Sequence, residues 1–284
     1  GILLQIPKAL REYNPVIGGF EILDGDFILK SEPAPFEWVV ERLVVKGQRN
    51  IIAGTKKANK SFLSLMIALS VASGRKEVLG YKINRPMKVL YISTEGGKDS
   101  IQRRIKAIAK GLSCKSFDGM LKVTGDKAIT DLYERNYLED LIKWYVPGLV
   151  IIDNAYSSST KNFSKNEVVR QVEQKLDDLI AMYGFTLLLV IHFNKGSVEG
   201  GLVLDKMQGA SAWQNWIENA VLIARSNHPD GHYLRLVKFE GVRDSDFSDE
   251  YFGLRFNPDK LILEMVGIMP DWSKHLTDKK KLSR

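Results

Sequence analysis

Hydrophobic positions along this chain fall into short, nearly continuous runs, separated by longer stretches in which apolar residues recur every three or four positions. The runs are Asn50–Ala53, Met87–Ile92, Leu149–Asp153, Leu187–Ile191 and Ala220–Ala224. Nearly continuous apolar runs of this length predict strands buried on both faces. The intervening stretches read as helices: one from Lys60 to Gly74, a charge-rich one over Lys98–Lys110, and one over Glu134–Tyr145 that Pro147-Gly148 breaks. A capping box, Ser164-Lys165-Asn166-Glu167, opens another. It places Val168, Val169, Val172, Leu176, Leu179, Ile180 and Tyr183 on one face and stops at Gly184. A shorter helix is expected over Ala210–Ile217.

Strand and helix patterns in alternation predict an α/β fold with a mostly parallel sheet flanked by helices. Tyr233–Phe239, Phe252–Phe256 and Leu261–Met265 read as antiparallel strands added at the C-terminal end. Residues 1–35 carry turn residues (Gly18-Gly19, Asp24-Gly25, Pro33, Pro35) and little periodicity, which predicts an arm, short strands or a linker. One domain is expected over residues 36–268, followed by a basic tail over 269–284.

Composition narrows the class. The chain has 284 residues, 44% of them hydrophobic and 26% charged, ordinary for a globular protein. Its single cysteine, Cys114, excludes a disulfide framework and a cysteine-based zinc site and fits a reducing, cytoplasmic location. No apolar run approaches the roughly 20 residues of a membrane span, so no membrane partner is expected. The net charge of +7 hints at a polyanionic partner, although part of it sits in the tail. A start at Gly1 rather than Met suggests a piece of a longer polypeptide.

The first strand leads into chemistry. Gly54-Thr55-Lys56-Lys57-Ala58-Asn59-Lys60-Ser61 follows it and opens the Lys60 helix. Strand, glycine-initiated loop, Lys-Ser and helix is the layout of a phosphate-binding loop, G-x-x-x-x-G-K-[ST]. Asn59 stands where the second glycine belongs. That position needs a backbone able to enter the left-handed region, and Asn is among the non-glycine residues most able to do so. The cofactor-binding set is therefore Gly54, Lys57, Ala58, Asn59, Lys60, Ser61 and Phe62. Lys60 would reach the β- and γ-phosphates of ATP, and the Ser61 hydroxyl would ligate Mg²⁺.

In an open α/β sheet, ligands bind at the carboxyl ends of the strands. Polar residues recur there. Asp153 closes L-V-I-I-D and is expected to hold Mg²⁺ opposite Ser61. Glu95 follows the Met87–Ile92 strand and is placed either to polarise the attacking water or to cap a turn. His192 ends the Leu187–Ile191 strand, as a γ-phosphate sensor or as a core histidine. The loops after Asp153 and His192 carry Lys161, Lys195 and Lys206, which suit a nucleic-acid backbone or plain solvent. Lys238 and Arg243, in L-V-K-F-E-G-V-R, would act as cations reaching a neighbouring subunit's nucleotide or as surface charge; Arg225 competes for the first role.

Taken in order, these residues resemble RecA-like P-loop ATPases of the kind represented by the RepA-type hexameric replicative helicases of plasmids and phages. The resemblance is carried by P-x-F-E-W before the first strand, G-T-K-K-A-N-K-S-F-L-S-L, A-S-G…L-G-Y and V-L-Y-I-S-T-E with R-R-I after it. It continues through L-V-I-I-D, V-I-H-F-N-K, Q-G-A-S-A-W…N-A-V-L-I-A-R and L-V-K-F-E-G-V-R. It implies a RecA-like core and an ATPase assembling as a homo-oligomeric, hexameric ring. It also implies ATP between subunits, with Lys60, Ser61, Glu95 and Asp153 from one and a basic finger from the next. His192 would couple the γ-phosphate to a loop on single-stranded DNA. Glu240 occupies the place of a second finger cation. The expected activity is an ATP-driven motor on single-stranded DNA. The alternatives are an ATP-binding regulator or loader that unwinds nothing and, more distantly, a small-molecule kinase.

Overall fold

The apolar runs become the central strands of a large sheet in the computed structural model, which describes residues 16–17, 20–32, 37–125, 136–155, 166–193, 198, 200–207, 210–240 and 250–277. The chain divides into two units, Gly1–Glu37 and Trp38–Arg284. In the first, β1 (Val16–Ile17) and β2 (Phe20–Glu21) form a hairpin, and α1 (Gly25–Lys30) follows. The short strands were expected; the helix was not. Asp24-Gly25 is not a simple turn, because Asp24 Oδ1 accepts from the amides of Asp26 (2.9 Å) and Phe27 (3.2 Å) and so caps a helix.

The second unit opens with a hairpin of β3 (Trp38–Val40) and β4 (Val44–Val45), then β5 (Arg49–Gly54) and α2 (Lys60–Ala72). A small hairpin of β6 (Glu77–Val78) and β7 (Tyr81–Lys82) leads to β8 (Val89–Ser93), α3 (Lys98–Gly111) and β9 (Leu121–Thr124). Next come α4 (Tyr137–Tyr145), β10 (Leu149–Asp153), α5 (Asn166–Tyr183) and β11 (Thr186–His192). The chain closes with α6 (Ala210–Trp216), β12 (Asn219–Arg225), β13 (Leu234–Glu240), β14 (Tyr251–Asn257), β15 (Ile262–Ile268) and α7 (Trp272–Leu276).

Among the described residues, nine strands form one sheet in the order β15-β14-β13-β12-β5-β11-β10-β8-β9. From β9 to β12 the neighbours run parallel; β13, β14 and β15 are antiparallel additions. The mixed α/β architecture is thus the one the periodicity predicts. Both faces of the central strands are covered, which is why β8, β10 and β11 are buried almost throughout and mostly apolar. In β5, Ile51 and Ala53 join one buried cluster with α4, α5 and α6, while Ile52 joins the other with α2 and α3. Among the described residues, no helix is long and apolar enough to cross a membrane.

The domain does not stop at residue 268. Trp272 stacks on Tyr251 with ring centroids 4.3 Å apart, Leu276 is buried, and the Asn227 amide donates to the His275 carbonyl at 2.7 Å. Within the stretch expected as a basic tail, Trp272 thus packs on β14 and Leu276 joins the buried core. The capping box at Ser164-Lys165 lies outside the described residues.

A polar cluster closes the amino-terminal end of β5. Arg49 pairs with Asp177 (3.2 Å) and Glu218 (2.9 Å), and the Trp216 indole donates to Asp177 at 3.0 Å. Glu173 lies one helical turn before Asp177. It is buried, and among the described residues its Oε1 has no hydrogen-bond partner. Burial, and then the Asp177 carboxylate, push its carboxyl up to about 7.

Candidate functional site

The glycine at position 54 answers a packing demand. Gly54 lies between β11 and β12, paired with His192 and Ile223. A Cβ there would fall 1.8 Å from the Ile223 carbonyl oxygen. The loop then curls through two left-handed residues, Lys57 (φ +61°) and Asn59 (φ +66°, ψ +30°). Asn59 thus adopts the backbone that a second glycine would supply. It sits at the N-cap of α2, yet its side chain does not cap the helix. Within the set, Lys57 is exposed, Ala58 is fully buried, and Phe62 meets Phe256 edge to face at 5.2 Å.

Lys60 is buried and bonded three ways. Its Nζ donates to the carbonyls of Gly54 (3.1 Å) and Thr55 (2.9 Å) and lies 3.0 Å from His192 Nδ1. Burial lowers its pKa to about 8, against the pull of Asp153 and Glu95. The His192 ring is driven down to about 4 by burial and then by the Lys60 charge. The imidazole is therefore neutral at pH 7, its Nδ1 accepts from the ammonium, and its proton sits on Nε2.

Asp153 is buried at the end of β10, level with Ser93 on β8. Tyr91 Oη donates to Asp153 Oδ2 at 2.5 Å and is 3.0 Å from Ser64 Oγ on α2. Burial raises the Asp153 pKa and the Glu95 charge adds to this, while bonds from Tyr91 and Ser61 and the Lys60 charge oppose it. A hydroxyl and a carboxylate facing one another are a hard-oxygen donor pair, and they fit Mg²⁺. Glu95 is exposed just beyond β8, and Asn154 Nδ2 donates to its Oε1 at 2.7 Å. Thr94 ties the two strand ends together: its amide donates to the Asp153 carbonyl (2.8 Å) and its hydroxyl to the Asn154 carbonyl (2.7 Å). Lys60, Ser61, Glu95, Asp153 and His192 are thereby gathered at the carboxyl ends of the central strands.

Sequence reasoning missed Tyr91, Asn154, Ser64 and Arg235. Tyr91 gave a signal, being a hydroxyl in the midst of an apolar strand, and a buried tyrosine needs a partner. Asn154 follows Asp153 directly. Arg235, at the start of β13, donates from Nε to Asn59 Oδ1 at 2.7 Å across a sequence separation that no local pattern signals.

Other expected residues lie apart. Arg225 ends β12 beside the loop, its Nη2 2.7 Å from His232 Nδ1. Lys238 lies within β13 opposite Leu222, which pairs on its other side with Ala53 of β5, and it is 4.0 Å from Glu240. Lys206 is half-buried and donates to the Gly201 carbonyl at 2.6 Å. Lys161, Lys195 and Arg243 lie outside the described residues.

A family model described as an AAA domain matches residues 20–198. The match spans the phosphate loop, Glu95, Asp153 and His192 and covers more than half of the chain. A search of curated proteins returned no match. The chain belongs to the AAA domain family of nucleotide-hydrolysing P-loop ATPases.

Proposed function

We propose that this AAA-domain ATPase is a ring-forming motor on single-stranded DNA, the helicase module of a plasmid or viral replication protein. The observation that carries its hydrolytic part is the convergence of Lys60, Ser61, Asp153, Glu95 and His192 at the carboxyl ends of β5, β8, β10 and β11. The motor part rests on the sequence resemblance beyond the matched domain and on the net charge of +7.

Each residue has a distinct task in this reading. Lys60 exchanges the Gly54 and Thr55 carbonyls for phosphate oxygens. Ser61 and Asp153 would hold Mg²⁺, which supplies charge neutralisation at the phosphates. Tyr91 fixes one oxygen of Asp153. Asn154 occupies one oxygen of Glu95 and leaves the other to orient a water and take its proton. His192 contacts Lys60 and leads directly into the segment bearing Lys195. Lys238 or Arg243 from a neighbouring subunit, with Arg225 as the competing cation, would complete the site in trans. Lys161, Lys195 and Lys206 would hold the DNA backbone.

The test is ATP hydrolysis with and without single-stranded DNA, with native mass measured in parallel. The reading requires DNA-stimulated hydrolysis, lost in Lys60→Ala, and an assembly of six. A strict monomer under all conditions would remove the site between subunits. Two observations favour a second reading, an ATP-binding regulator or loader. Asn59 in the loop and the Asn154 bond on Glu95 both suit slow turnover. A strand-displacement assay separates the two, since a regulator binds nucleotide and displaces nothing.

A further inference from the structure

Asparagine is a preferred helix N-cap because its side-chain oxygen bonds the first free amides of the helix. Those same amides form the anion site of a phosphate loop. Asn59 stands at the N-cap of α2, so its side chain could compete with the phosphates for the donors that bind them. It does not, because Oδ1 is turned away and accepts from Arg235 Nε at 2.7 Å.

Arg235 is built to hold that oxygen. It is 5% exposed. Its Nη1 donates to the carbonyls of His232 (3.2 Å) and Leu234 (3.0 Å), which sets the plane of the guanidinium, and its Cζ lies 5.9 Å from the Phe256 ring centroid. Arg225 is its register partner on β12. Among the described residues no carboxylate pairs with Arg235. A guanidinium buried among neutral acceptors beside a second arginine is costly to bury. Among the described residues, its one hydrogen bond to another side chain goes to Asn59. Both β12 and β13 lie beyond the residues that the family model matches.

We propose that Arg235 is a positioning residue for the phosphate loop, acting through Asn59. It keeps that side chain off the α2 amides and holds its backbone in the left-handed form, so that the loop works without its second glycine. This rests on the reading of the loop as a nucleotide site. Glycine at position 59 has no side chain to restrain, so the need for Arg235 disappears with Asn59.

The experiment is a double-mutant cycle on the full chain, read by titration with a fluorescent ATP analogue (mant-ATP). Arg235→Gln is expected to weaken mant-ATP binding about tenfold, the worth of one charge-assisted hydrogen bond. In the Asn59→Gly background the same change shifts affinity less than about twofold. An equal loss in both backgrounds, or no loss with Asn59 present, overturns the proposal. If Arg235→Gln does not fold, Arg235→Lys keeps the charge, lacks the Nε donor and carries the same expectation. The cycle is also read without nucleotide, by urea midpoint, where the two positions must be coupled. Should the unmodified chain bind no mant-ATP, the nucleotide reading falls; the clamp is then decided by that coupling, and additive shifts overturn it.

Discussion

Lys60 Nζ lies 3.0 Å from His192 Nδ1, so the phosphate-loop lysine on α2 and the last residue of β11 share one hydrogen bond. The bond spans 132 positions in sequence and joins the phosphate site to the segment that carries Lys195. Phosphate oxygens and the neutral imidazole compete for the same ammonium protons. Lys60→Ala should remove both interactions and lower ATP hydrolysis by a factor of about 100 or more. His192→Ala leaves Lys60 free for phosphate. It should keep ATP affinity within about threefold and, on the proposed motor reading, abolish stimulation by single-stranded DNA, as read by steady-state hydrolysis with and without DNA.

In the proposed mechanism Glu95 acts after ATP binding rather than in it. Glu95→Gln keeps the shape and the capacity to bond Asn154 but cannot take a proton. Hydrolysis should fall about 100-fold or more, with ATP affinity unchanged within about threefold. Comparable losses in affinity and rate would place Glu95 in the turn instead.

Tyr91→Phe deletes the hydroxyl that steadies Asp153 and leaves the aromatic core in place. A hydrogen bond to a charged group contributes about 1.5–3 kcal/mol. The hydrolysis rate should therefore drop about tenfold, with a higher Mg²⁺ requirement and a near-native melting temperature. An unchanged Mg²⁺ titration would show that Asp153 needs no help from Tyr91.

Glu173 makes stability depend on pH. Its folded pKa, about 7, lies above the ordinary carboxylate value. Between that value and pH 7 the folded chain binds more protons than the unfolded one, so stability falls as pH rises through this window. Glu173→Gln removes the term and should make the chain about 1 kcal/mol more stable at pH 8, with little change at pH 4.5. Urea unfolding at the two pH values checks the difference; equal effects at both would exclude the titration.

Much of the site was legible because a strand ending in a polar residue is a local pattern. Gly54, Asp153 and His192 each close an unbroken apolar run, and Glu95 follows just beyond Ser93. The α2 start was legible for the same reason, and Asn59 takes the left-handed backbone its side chain tolerates. The Tyr91–Asp153 and Arg235–Asn59 contacts were not legible, since they depend on which strands become neighbours. The same holds for α7, whose two anchoring side chains sit in a stretch that reads as basic and polar.

The sequence by itself determined the strand and helix succession, the phosphate loop and the polar ends of the central strands. Each of these follows from periodicity and backbone preference within a few turns of chain. Only the tertiary structure decided that β5 lies between β11 and β12, and that β13 returns beside β12. The first adjacency demands glycine at 54 and brings His192 to Lys60. The second delivers Arg235 to Asn59, the residue at which this loop departs from the usual pattern. Such adjacencies are settled by burying both sheet faces at once, a constraint on the whole chain that no local window contains.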